Sequence, residues 1–202
     1  MAKAPDKADI VDDFKTAAWQ DEVDTLRALA SRYPFLVDPR EPYLVEALHR
    51  ACNSCQQEAA RVLVEEFHAD VNAVPDAARG MTALHEALNS CDAVTARMLV
   101  ENGADVNKRE TSVDSDTGGW TALHYAVSQK DTALAGFLIG HGADPGIKDD
   151  AGKSAVDLAR ATAQPKLAAE LGPYVCFTGR LGVDPVPAEW RGKAKKPRAP
   201  GR

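Results

Sequence analysis

The residues whose types and spacing most suggest chemistry are three histidines and a pair of cysteines. His49, Cys52 and Cys55 recur every third residue, and Cys52 with Cys55 makes a C-x-x-C, so thiolate-imidazole metal ligation is the first chemistry to weigh. A structural zinc site needs four ligands, commonly from separate loops, and the sequence has no second pair. His85 and His124 continue the histidine series, which invites a general-base reading. A general base works only beside a nucleophile and an oxyanion donor in one cleft, and no such set is visible. The chain is therefore expected not to be an enzyme and to hold no metal and no cofactor.

The elements that position these residues repeat. Gly-Met-Thr-Ala-Leu-His-Glu-Ala at 80–87 returns as Gly-Trp-Thr-Ala-Leu-His-Tyr-Ala at 119–126. Each copy is trailed by a second phrase, Asn-Gly-Ala-Asp-Val-Asn at 102–107 and His-Gly-Ala-Asp-Pro at 141–145. Ala47-Leu48-His49 with His68-Ala69-Asp70-Val71-Asn72 is an earlier copy, and Gly152 to Ala159 opens a later one. His49 to His85 is 36 residues, His85 to His124 is 39, and His124 to Asp157 is 33. The excess falls in the turns joining one copy to the next, where loop-closure entropy grows slowly with length.

Within one copy the chemistry of helix building is legible. Thr121 is placed to cap a first helix, and Ala122, Leu123, Ala126 and Val127 give it one apolar stripe. Leu134, Phe137, Leu138 and Ile139 line a second helix, closed by Gly142 in the left-handed conformation that suits glycine. Neither helix can bury its face alone, so stability has to come from neighbouring copies.

The two phrases resemble the ankyrin repeat, whose signature is Thr-Pro-Leu-His-x-Ala recurring at about 33 residues. The resemblance covers roughly residues 10 to 171 and implies an all-α solenoid of stacked helix-turn-helix units with projecting turns. Its expected repeats are 10–42, 43–78, 79–117, 118–150 and 151–171, preceded by a tail at 1–9 and followed by an extended C-terminal arm at 172–202. Phe14, Ala17, Ala18, Leu26 and Leu29 mark the first as a degenerate cap, with Asp12, Asp13, Lys15, Asp21, Glu22 and Asp24 on its wetted side. The family has Pro where this chain has Ala47, Ala83, Ala122 and Ala155, a mild change because Ala is the best helix former. The resemblance also implies that His49, His85 and His124 order the turns through hydrogen bonds. Cys91 lies in the register of Cys55 one repeat on, and stacked helices about 8–10 Å apart exceed the reach of a relaxed disulfide, so free thiols are expected.

Charge is uneven. The net charge is −6, yet Arg191, Lys193, Lys195, Lys196, Arg198 and Arg202 put +6 into the last twelve residues with no acid among them, leaving −12 for residues 1–190. Pro197, Pro200, Gly192 and Gly201 keep this stretch from forming a helix. No run approaches the roughly 18 apolar residues of a membrane span, and the N-terminus is too acidic for a transit peptide. A cytoplasmic protein, or one in a compartment continuous with the cytosol such as nucleus or cilium, is expected.

Members of the family bind other proteins on a concave face built by first helices and turn tips, and the resemblance implies the same here. Recognition would fall to the positions between framework residues: Trp19, Arg50, Asn53, Met81, Glu86, Asn89, Trp120, Tyr125 and Gln129, with Trp190 and the basic arm of Arg191, Lys193, Lys195, Lys196 and Arg198 beyond the repeats. Trp120 has two readings, a partner anchor or a cover over its own insertion, Lys108 to Gly118, a polar segment expected to be a mobile finger. The expected partners are one or more proteins in a larger complex, for a non-catalytic adaptor or structural subunit. Nucleic acid enters only through the basic tail, and the alternative is a ribonucleoprotein-associated factor such as an acidic chaperone of a basic protein.

Overall fold

The computed structural model describes residues 6–39, 41–75, 80–111 and 118–175. These residues hold ten α-helices and no strand, and they divide into two compact units, 6–75 with 82–102 and 80–81 with 103–175.

In the first unit α1 (Lys7–Trp19) packs on α2 (Val23–Arg32) and α3 (Tyr43–Asn53). Asp6 starts α1 with a reciprocal cap, its carboxylate accepting the Asp9 N–H at 2.9 Å while Asp9 accepts the Asp6 N–H at 3.4 Å. The helix thus begins inside the segment expected as a tail at 1–9. α4 (Gln57–Arg61) runs on into a π-helical turn at Val62–Glu66, which ends where Phe67 meets the Phe14 ring at 6.5 Å. α5 (Ala83–Asn89) packs on α3 and on α6 (Ala93–Glu101). The core of this unit is Phe14, Leu26, Leu36, Leu48, Leu63, Leu84, Leu88 and Leu99, all fully buried. The wetted side of the cap is only partly as expected. Asp12 and Asp13 are exposed, but Lys15 pairs with Glu46, and Asp21 turns in to accept the Ala59 N–H at 2.7 Å.

In the second unit α7 (Ala122–Ser128) packs on α8 (Thr132–Gly140) and α9 (Ala155–Ala161), and α9 on α10 (Pro165–Val175), around Leu123, Leu134, Leu138 and Leu167. The turn before α9 is tight, with Lys148 and Ser154 paired as an isolated bridge. α10 continues past the expected boundary at 171 and through Pro173. Proline's fixed φ is helical, and so near the helix end it forfeits one backbone hydrogen bond without breaking the turn.

Five first helices end the same way. Asp21, Cys55, Cys91, Lys130 and Ala163 sit in the left-handed region with φ of 59°, 57°, 58°, 60° and 56°. The residue after each donates its N–H back to an alanine carbonyl: Glu22 to Ala17, Gln56 to Ala51, Asp92 to Ala87, Asp131 to Ala126 and Gln164 to Ala159, all between 2.9 and 3.0 Å. This is the Schellman closure, which satisfies carbonyls that a helix end leaves orphaned. Its presence at Asp21 and Ala163 shows that the degenerate first and last copies keep the repeat's backbone.

Candidate functional site

The histidines belong to the scaffold. Thr121 donates its backbone N–H to Nδ1 of His124 at 3.2 Å, and the Thr121 hydroxyl lies 2.9 Å from the same nitrogen. An Nδ1 that accepts an N–H carries no proton, so Nε2 holds it and donates to the Lys153 carbonyl at 3.2 Å. Burial pushes the His124 pKa down from its ordinary value, the Lys153 carbonyl opposing. Thr82 and His85 make the same cap at the same distances. Ser154 and Asp157 replace it in the last copy, where hydrogen bonds from Ser154 hold the Asp157 carboxyl below its ordinary range. His49 reaches the Ala73 carbonyl at 3.2 Å.

The cysteines are equally structural. Cys52 is fully buried, its thiol pushed up by burial and then by Asp92, Glu86 and Cys55, while Cys55 and Cys91 are exposed left-handed turn residues. All three are free thiols. Among the described residues no three His, Cys, Asp or Glu side chains converge as a metal site.

A family model described as ankyrin repeats (3 copies) matches residues 14–110 and again 80–149. The chain belongs to the ankyrin-repeat family. No curated protein matches it significantly. Ankyrin repeats bear on function in a general way: they support interaction with other proteins.

On the ankyrin framework of the first unit, the position two residues before each left-handed turn residue is solvent-exposed: Trp19, Asn53 and Asn89. Trp19 is 52% exposed, large for a tryptophan, and Arg50 is exposed on α3. Lacing holds the ends of α3 and α5 beside these residues. The Ser90 hydroxyl donates to the Asn53 carbonyl at 2.7 Å, and the Asn53 amide donates to Glu86 at 3.0 Å. Glu86 is not the outward position that its place between framework residues suggested. It is 7% exposed, with His49 Nδ1 4.0 Å from its second oxygen. Buried carboxylates are held by such partners, and the partners lie a full repeat upstream, beyond what local spacing reveals.

In the second unit the equivalent exposed positions are Ser128 and Ala161, and Met81 and Gln129 are half-buried. Tyr125 departs from the expectation of an exposed patch. It is 4% exposed, because its hydroxyl donates to Glu110 at 2.7 Å and its ring meets the edge of Trp120 at 5.1 Å. Trp120 is half-buried, also stacked on His124 at 6.2 Å. Trp120 thus packs at the base of its own insertion and keeps part of its surface exposed.

The two ends of the insertion are hydrogen-bonded, and residues 112–117 of the expected mobile finger lie outside the described residues. The Glu110 N–H donates to the Trp120 carbonyl at 3.0 Å, Arg109 Nε donates to the Gly119 carbonyl at 3.1 Å, and the Arg109 guanidinium pairs with Asp150. Gly80 is required here, since at φ 57° a Cβ would collide with Thr111. Pattern reading gives no sign of Glu110, one of three acids with Asp114 and Asp116 in a polar stretch. Its only signal was its place ten residues before the tryptophan that it pairs with. Trp190, Arg191, Lys193, Lys195, Lys196 and Arg198 lie outside the described residues. No helix among the described residues is long and apolar enough to cross a membrane.

Proposed function

We propose that this protein is a non-catalytic interaction adaptor, a subunit that recognises a partner protein through the outer ends of its first helices. The observation that carries this reading is the exposed register of Trp19, Asn53 and Asn89, together with exposed Arg50, on a framework whose histidines are held by internal hydrogen bonds. A rigid aromatic flanked by amides is the composition of an interface hot spot, where tryptophan and arginine dominate. In the second unit, Trp120, Met81 and Gln129 offer a smaller area of the same kind. The basic arm and Trp190 would add a second, electrostatic contact that speeds encounter more than it adds affinity.

Affinity purification with mass spectrometry tests this. The native chain is compared with a Trp19→Ala, Arg50→Ala, Asn89→Ala variant, three exposed positions, checked for unchanged melting temperature. Proteins recovered with the first and lost with the second support the reading, and an identical set with both refutes it. Recovery abolished by nuclease would favour the ribonucleoprotein alternative.

A further inference from the structure

Lys7 begins α1, and its ammonium lies 5.0 Å from the centre of the Phe35 ring and 5.2 Å from that of Tyr43. Both distances fall within the roughly 6 Å at which a ring face attracts a cation. The Phe35 and Tyr43 rings meet edge to face at 6.2 Å, and Tyr33 meets Phe35 at the same distance. Glu41 accepts a hydrogen bond from the Lys7 ammonium at 3.3 Å. Hydrogen bonding to Tyr43, and then to Glu41, raises the Lys7 pKa, so these groups favour the charged form. Two aromatic rings and a carboxylate gathered around an ammonium make a cation receptor, and this one is reached from solvent. Phe35, Tyr43 and Glu41 are half-buried, and the Lys7 side chain lying against them is 55% exposed.

We infer that Phe35, Tyr43 and Glu41 form a binding site for a methylated ammonium group, which Lys7 fills in the free chain. Lys7 can withdraw without loss to the helix, because α1 is started by the reciprocal cap of Asp6 and Asp9 and not by the lysine side chain. Lys15 lies farther from Tyr43, at 5.9 Å, and is paired with Glu46. A plain lysine from a partner offers the rings nothing that Lys7 lacks, and Lys7 has the advantage of its tether. A methylated ammonium is larger and less hydrated and keeps its charge, so it gains more from two ring faces, which is the chemistry that aromatic cages select. The charge of residues 1–190, −12, draws such cations to this body. The site is at the opposite end of α1 from Trp19 and does not rest on the surface proposed above, so the two readings fail separately.

The experiment is an NMR titration of the full chain with the peptide Ac-Gly-Gly-Lys(Me3)-Gly-Gly-NH2, following the Tyr43 ring protons, assigned by their absence in Tyr43→Leu. The unmethylated peptide and free choline are the companion arms. The expected result is a saturable shift with the trimethyllysine peptide and binding about tenfold weaker with the unmethylated one. Lys7→Ala empties the site, and since the contacts it removes are exposed and weak, it should tighten trimethyllysine binding by about tenfold. A gain of affinity cannot come from lost fold. Glu41→Gln should weaken binding, and Asp12→Asn, an exposed acid on the same helix, should leave it unchanged. Unaltered affinity in Lys7→Ala, equal affinity of that variant for the methylated and unmethylated peptides, or equal weakening by Asp12→Asn overturns the site. With the site upheld, tighter binding of the peptide than of choline assigns it to a methylated lysine of a partner, and equal binding assigns it to a free quaternary ammonium.

Discussion

Nε2 of His124 lies 3.2 Å from the carbonyl of Lys153, twenty-nine residues further on, while its Nδ1 accepts from Thr121. One neutral imidazole thus caps its own helix and fastens the next turn, and it does both only while Nδ1 is unprotonated. Burial lowers its pKa below the ordinary 6.5. The folded state then binds fewer protons than the unfolded state, so this contribution to stability is complete above pH 6.5 and is lost as pH falls below it. Thermal unfolding between pH 8 and pH 5 should show a falling midpoint, and His124→Gln, which cannot titrate, should flatten that slope. An unchanged slope in the variant would assign the acid sensitivity elsewhere.

Cys55 and Cys91 hold φ near 57° without being glycine. The left-handed region costs an L-residue roughly 1 kcal/mol, partly offset by the larger unfolded-state entropy of glycine. Cys55→Gly and Cys91→Gly should each leave stability unchanged or raise it by up to about 1 kcal/mol. Asp21→Gly should not, because it removes the carboxylate that holds the Ala59 N–H. Chemical denaturation of the three variants separates the cases.

Tyr125→Phe removes the hydroxyl that donates to the buried Glu110. Taking that donor from a buried carboxylate should destabilise the chain by about 1–3 kcal/mol. The double variant with Glu110→Gln should recover part of that loss, and a double-mutant cycle gives the coupling directly.

Asn107 ties two successive turns, donating to the Gly142 carbonyl at 2.9 Å and accepting the Asp144 N–H at 2.7 Å. Asn107→Ala should lower stability by roughly 1–2 kcal/mol. Amide exchange at Asp144 should quicken relative to the α7 core, and equal protection in both proteins would argue that the turn stands without this bridge.

Trp19→Ala should cost partner affinity and leave the melting temperature nearly unchanged, since the ring is half in solvent. Phe14→Ala, one helical turn earlier and fully buried, should instead cost about 3–5 kcal/mol. Measuring both by calorimetry distinguishes a recognition residue from a core residue on the same helix.

The sequence by itself determined the repeat. Thr121 and His124, Thr82 and His85, and the alanines at 51, 87 and 126 are local chemistry, acting within one helix and its cap, so their recurrence carried the ankyrin resemblance, and that resemblance implied the structural role of the histidines. It also located the second helices and the degenerate first copy, because amphipathic stripes are read within a few residues. Tertiary structure alone decided which intervening positions face water. Trp19 and Tyr125 look equally outward in a linear reading, yet Trp19 is open and Tyr125 is enclosed by a carboxylate fifteen residues upstream. Glu86 and Glu110 look like surface acids, and both are buried against residues from other elements. Burial of a polar side chain depends on which distant donors the fold delivers to it, and no local periodicity encodes that delivery.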